Sequence, residues 1–319
     1  MKVVGRAGLW LLHLALVLFL VSLGTFLMLK LTPGDPAVEM LGTEATPEAI
    51  RDIHHQLGLD RPLVKQYGHW MGGAIHGDLG QSLAPPRGPV MLRLREAFPV
   101  TIELAVLAAL IALVVAVPLG ILAAYRAGSR VDSMINGMAY GLVSVPNFLA
   151  GLLIAYLFTV QLRIFPRSQW VRLSASFTGN LRSAFLPAAT LALTEIAVYM
   201  RLLRNDMVLA LESDYMVFAQ AKGLSTRRLL LRHALRPSSL SVVTLSSVGF
   251  ARLLGGAAIV EVIFALPGVG RLLVGAIGAN DFPLVQGTVL AVATIYVIVN
   301  ALIDAAYGIL DPRIRHGGA

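Results

Sequence analysis

Residues Leu104 to Tyr125 read LAVLAALIALVVAVPLGILAAY, 22 positions without a charge. A helix rises 1.5 Å per residue, so this run suffices to cross a hydrocarbon core of about 30 Å. Three more runs of this kind lie at Leu9–Leu29, Met134–Val160 and Val285–Ile303, the last extending to Leu310. Two others, Ala184–Leu203 and Ser239–Ile263, are long enough but are interrupted by Glu195 and Arg201 and by Arg252 and Glu261. Together they predict an all-α integral membrane protein with six transmembrane helices, at about 9–29, 100–125, 134–160, 184–203, 239–263 and 285–310.

The composition agrees. Of 319 residues 56% are hydrophobic and only 14% charged, against about 25% charged in an average globular chain. That excludes intrinsic disorder, a plain cytosolic enzyme, and nucleic-acid binding as the main activity. The net charge of +8 is spread between apolar runs, as membrane-flanking charge is. With no Cys, disulfides, thiolate zinc sites and cysteine nucleophiles are excluded together. Basic density favours cytoplasmic N- and C-termini, with 1–8, 126–133, 204–238 and 311–319 inside. The first run is longer than the core of a signal peptide, and no small-residue cleavage site follows it, so it reads as an uncleaved anchor.

The segment 30–99 is then an extracytoplasmic loop with two short helices. Thr46 is a suitable N-cap with Pro47 behind it and Gly58 as a stop; Pro62 opens a second helix ending at Gly72 or Gly73. Leu63, Val64, Tyr67, Trp70, Met71 and Ala74 recur there at helical spacing, a stripe that predicts packing on the protein itself, with the membrane surface or a partner as alternatives. His54, His55, His69 and His76 share this loop, but neighbouring positions on a helix diverge by about 100° and no carboxylate stands at chelating spacing, so no metal site is expected. None of the four lysines lies in G-x-x-x-x-G-K-[ST], so the chain has no P-loop for ATP. The G-x-S-x-G and H-E-x-x-H patterns are also missing.

The segment 204–238 interrupts two apolar runs with basic, amphipathic sequence. Met207, Leu211, Tyr215 and Phe218 are spaced as one helical stripe. Lys222-Gly223 predicts a helix C-terminus, Ser225 an N-cap for a second helix, and Pro237 the end of that helix. Helix, glycine corner, helix makes a compact knob, suited to a groove on a partner or to an anionic lipid surface.

Asp214-Tyr215, then Ala219-Gln220-Ala221-Lys222-Gly223-Leu224-Ser225, then Arg228 and Arg232-His233-Ala234-Leu235-Arg236 resemble the coupling loop of binding-protein-dependent ABC importer permeases, specifically the peptide/nickel (dipeptide and oligopeptide) family. The resemblance runs nearly end to end, through Pro33-Gly34-Asp35-Pro36, Gly77-Asp78-Leu79-Gly80, Ser144-Val145-Pro146, Leu186-Pro187-Ala188, Gly255-Gly256, Pro267-Gly268, Asp281 with Pro283, and Asp311-Pro312-Arg313. It departs at Val217 and Phe218, where the general importer loop has an acidic residue and an alanine, and at Arg252, where family members usually place a small residue.

The resemblance implies a type I ABC importer permease architecture and a non-catalytic permease subunit of the cytoplasmic (inner) membrane. It implies a homologous second permease, two cytoplasmic ABC ATPases that hold the ATP and Mg, and an extracytoplasmic substrate-binding protein. The cargo it implies is a di- or oligopeptide, with nickel or another small solute as the alternative. Gly223 is then the corner seating both loop helices, and Lys222, Arg227 and Arg228 steer toward the ATPases. Charges inside apolar runs are costly. Glu103 and Glu261 near outer ends and Asp304 near an inner end read as interfacial. Glu195 and Arg252 either pair across the fourth and fifth spans or line the pathway and meet a zwitterionic peptide. An ion-coupled secondary transporter using Glu195, Arg252 and Asp304 as a relay, and a non-transporting scaffold, are the rival classes.

Overall fold

The computed structural model describes residues 2–31, 37–38, 46–57, 60–85, 87–166 and 170–310. Gly58 and the motifs at 33–36 and 311–313 fall outside the described residues, as does the side chain of Asp304. The described chain is mostly helical: α1 (Lys2–Leu31), α2 (Pro47–Leu57), α3 (Leu63–Ile75), α4 (Val90–Tyr125), α5 (Arg130–Ser144), α6 (Asn147–Gln161), α7 (Phe177–Leu211), α8 (Asp214–Ala221), α9 (Thr226–Ile263), α10 (Val269–Gly278) and α11 (Phe282–Leu310). A two-residue antiparallel ladder, β1 (Gln81–Ser82) with β2 (Gly88–Pro89), precedes α4. By length and composition α4, α7, α9 and α11 can each cross a membrane, and α5 with α6 is apolar enough to do so only if the bent pair is taken together. The chain divides into two compact units.

The first unit comprises Met1–Val100 and Pro267–Ala301. Its core gathers Leu79, Val90, Leu94, Ala276 and Leu284, with Met91, Phe98 and Leu272 packed around them. Burial of that kind contributes about 1.5–3 kcal/mol per large side chain. It explains why α4 begins at Val90, well before the apolar run, and continues through Pro99. Asp281, fully buried, accepts from the Ser82 hydroxyl, from Ala84 N at 3.1 Å and from Leu284 N at 3.2 Å. One carboxylate thus ties the β1 turn to the start of α11. The stripe on α3 is divided. Tyr67 packs edge-on against Phe19 and Phe26 of α1 and exchanges a 2.8 Å hydrogen bond with Ser22, whereas Leu63 and Val64 are exposed.

The second unit comprises Thr101–Leu266 and Leu302–Ala319, with α7 at its centre. Of the most apolar window of α7, 67% is buried inside the protein, against 28% for α9. This is why α7 tolerates Asn180, Ser183, Thr190 and Glu195: their surroundings are protein. Thr190, for example, returns its hydroxyl to the Leu186 carbonyl. The run Met134–Val160, read as one span, is two helices bent by 98°. Pro146 forces the residue before it out of the helical region, and Val145 is extended at φ −87°, ψ 122°. Glu261, read as interfacial, is instead fully buried and accepts from the Thr101 hydroxyl.

Candidate functional site

The segment between α7 and α9 is built from backbone rules. Helix α7 stops at Leu211, Ser213 is extended, and Asp214 opens α8 where a negative charge favours the helix N-terminus. At the other end Gly223 takes φ +77°, a left-handed conformation that only glycine adopts cheaply. Its N–H bonds Gln220 O at 2.9 Å, and Leu224 N reaches back to Ala219 O at 3.4 Å. This paired closure satisfies the last carbonyls of α8. Ser225 follows in extended conformation and opens α9.

Three details differ from the sequence reading. Ser225 receives Arg228 N at 2.9 Å and Leu229 N at 3.0 Å on its carbonyl, and its side chain makes no capping bond. Pro237 does not end the second helix, because α9 runs from Thr226 to Ile263. A wider π-type turn over Leu229–Ala234 precedes the proline. The stripe Met207, Leu211, Tyr215, Phe218 is broken by the interruption at Glu212-Ser213, so Met207 is buried while Tyr215 and Phe218 are exposed.

The two faces of α8 differ sharply. Met216 is fully buried, whereas its neighbours Val217 and Phe218 are 60% and 70% exposed. Lys222 lies 5.8 Å over the Phe218 ring. Asp214, Ala221, Arg227, Arg228 and Arg232 are exposed, while Ala219, Leu224 and His233 are half-buried. Tyr215 donates its hydroxyl to the His233 carbonyl at 2.9 Å, joining α8 to α9. Behind the knob lies a cavity of about 440 Å³ bordered by Tyr125, Leu211, Glu212, Gln220, Leu224 and Leu229. The arrangement presents exposed apolar and cationic groups on a mount anchored by Met216, Leu229 and Ala234.

The mount includes a residue that sequence reasoning missed. Asp132 is 5% exposed and receives Arg204 Nη2 at 2.7 Å, Arg204 Nε at 3.1 Å, Gly128 N at 2.9 Å and Asn136 Nδ2 at 2.7 Å. This two-pronged arginine–carboxylate pair is among the stronger side-chain contacts, and it fastens the start of α5 to α7 just before the knob. The only local signal was the Ser-Arg-Val-Asp start of α5, where Ser129 caps Asp132 N.

Within the helices, Arg252 Nη2 bonds Glu195 Oε2 at 3.0 Å, pairing α9 with α7. Glu195 is 5% exposed and Arg252 51% by side chain. A Cβ placed on Gly249 would stand 2.0 Å from Tyr199 Oη and 2.8 Å from Glu195 Oε2, so the close approach of the two helices at this pair requires glycine.

Two family models match the chain in order: the binding-protein-dependent transport system membrane component, N-terminal, over residues 10–105, and the binding-protein-dependent transport system inner membrane component over residues 116–316. A Brucella abortus protein named for a peptide transport system permease is 43% identical over 300 residues, covering 94% of this chain and 95% of the relative. The dipeptide transport system permease protein DppB of Escherichia coli K12 is 36% identical over 320 residues, covering 93% and 94%. Among solved structures, the inward-facing MetNI methionine ABC transporter aligns with a TM-score of 0.54 at 15% identity, over 69% of this chain and 97% of that one, a likeness of fold.

Proposed function

For a chain that belongs to the family of binding-protein-dependent transport system inner membrane components, we propose the role of permease subunit in an ATP-driven peptide importer, coupled to its ATPases through the knob around Gly223. The proposal places α1, α4, the bent α5–α6 pair, α7, α9 and α11 as six spans, with both termini and the knob on the cytoplasmic side. Hydrolysis belongs to two partner ATPases, a second homologous permease completes the pathway, and an extracytoplasmic binding protein delivers the peptide. The peptide assignment is supported by the names of relatives that match nearly the whole chain.

The observation that carries the coupling role is the split character of α8: Met216 buried, Val217 and Phe218 exposed beside Lys222, on a loop continuous with two long spans. A docked ATPase gains apolar contact from the exposed face. When the two ATPases close, the load passes through α8 to α7 and α9, and the cavity between permeases changes the side to which it opens. Glu195 and Arg252 serve this reading as a paired charge that keeps α7 and α9 in register. The test is to tag the chain, extract the complex gently, identify what co-purifies and measure ATP-dependent uptake of a dipeptide in vesicles. A second six-span chain, ATPase subunits and ATP-dependent uptake are expected. A chain that purifies alone and moves solute down an ion gradient overturns the proposal.

A further inference from the structure

Proline has no N–H, so a proline inside a helix leaves the carbonyl four residues earlier without its donor. In α9 the proline is Pro237 and the carbonyl is that of His233. This is the carbonyl to which Tyr215, 18 positions away on α8, donates at 2.9 Å. The preceding turn, Leu229–Ala234, is already widened to the π form, a bulge that departs from the regular helical hydrogen-bond pattern. We propose that Tyr215 is a positioning residue: its hydroxyl takes the place of the missing proline N–H and holds α8 and α9 together as one rigid body.

The geometry gives the bond a mechanical use. The covalent path from α8 to α9 runs through Gly223 in its left-handed conformation, and the residue most able to flex there is glycine. With that corner alone, load on Val217 and Phe218 bends the loop. The tether closes a second link on the far side of α8 from the corner, so the same load moves α9. Tyr215 is 47% exposed, and water can satisfy the His233 carbonyl when the hydroxyl is removed. Loss of the tether therefore changes orientation far more than stability. The inference rests on the coupling reading above, and its test separates the two.

The chain has no native cysteine, so the pair Val217→Cys and Leu231→Cys, both exposed positions, takes spin labels cleanly. In the full-length chain in detergent, the distance distribution between the labels is expected to be narrow and to broaden in Tyr215→Phe. It should stay broad in Tyr215→Phe with Pro237→Ala, which restores a donor to the carbonyl without restoring the link. A distribution unchanged by Tyr215→Phe overturns the tether, and so does one narrowed again by Pro237→Ala, since the bond then serves the carbonyl alone. In the reconstituted transporter, peptide moved per ATP hydrolysed should fall about two- to tenfold in Tyr215→Phe, the population change that one net hydrogen bond permits. Broadened labels with wild-type coupling keep the link but overturn its part in transmission. If Gly223→Leu also leaves ATP hydrolysis unaltered, the coupling reading itself fails.

Discussion

Replacing Gly249 by alanine tests the packing at the centre of the second unit. The new methyl carbon would lie 2.0 Å from Tyr199 Oη, 2.8 Å from Glu195 Oε2 and 3.1 Å from Tyr199 Cζ. Ordinary contact begins near 3.5 Å, so the hydroxyl must retreat by about 1.5 Å. Tyr199 is fully buried and its ring is rigid, so the helices separate or the Glu195–Arg252 pair opens. Overpacking of this kind costs about 1–3 kcal/mol, and opening the Glu195–Arg252 pair adds less than a fully buried pair would, because the half-exposed Arg252 can be taken up by solvent. The same substitution gains about 0.5–1 kcal/mol of helix propensity. Gly255, six residues on in the same helix, has nothing within 4 Å of its Cβ position, so Gly255→Ala carries the propensity gain without the clash. Thermal unfolding of the detergent-purified chain should place Gly249→Ala below Gly255→Ala by about 1–3 kcal/mol or more. Adding Tyr199→Phe should recover part of the loss, because it removes the nearest clashing atom. Equal shifts for the two alanine variants would refute the argument.

Gly223→Leu forces a left-handed conformation costing about 1–2 kcal/mol; membrane insertion should be intact and substrate-stimulated ATP hydrolysis lost, as an ATPase assay on the reconstituted complex will show. Asp132→Ala leaves Arg204 without its two-pronged partner and should destabilise the chain by about 1–3 kcal/mol, whereas Asp132→Asn, keeping the shape, should cost less; unfolding midpoints rank the two. Asp281→Ala removes the acceptor shared by Ser82, Ala84 and Leu284 and should speed proteolysis of the segment around residues 81–85 before it affects the rest of the fold, a difference limited digestion can read. Exchanging the charges in Glu195→Arg with Arg252→Glu should restore stability lost in either single variant; no recovery would count against a paired role.

Features set by a few adjacent residues were legible before any coordinates. Lys222-Gly223 marks the corner because left-handed backbone all but demands glycine, and Thr46-Pro47 marks a helix start, where Ala49 N bonds Thr46 Oγ1 at 3.3 Å. Features set by distant partners were not. Nothing near Asp281 or Glu261 announces that Ser82 or Thr101 will meet it. Their burial is decided by contacts 199 and 160 positions away. Pro237 misled because a proline removes one donor but does not end a helix that its neighbours hold in place, as Pro187 inside α7 and Pro99 inside α4 also show. Pro146 was passed over inside a long apolar run, since hydropathy measures how willingly a segment leaves water and says little about its direction. The Glu195–Arg252 pair was readable as a candidate because both charges interrupt apolar runs, but Tyr199 and Gly249 beside it carry no such signal.

The alternation along α8, Met216 inward with Val217 and Phe218 outward, has an evolutionary side. Where support and recognition occupy different side chains of the same short helix, the outward ones can drift, trade with those of a sister transporter, or follow a changing ATPase, while the inward one keeps the helix seated. If α8 couples the chain to ATPases as proposed, selection can thus rewire which motor the chain answers to by a handful of surface substitutions, with the transmission left intact.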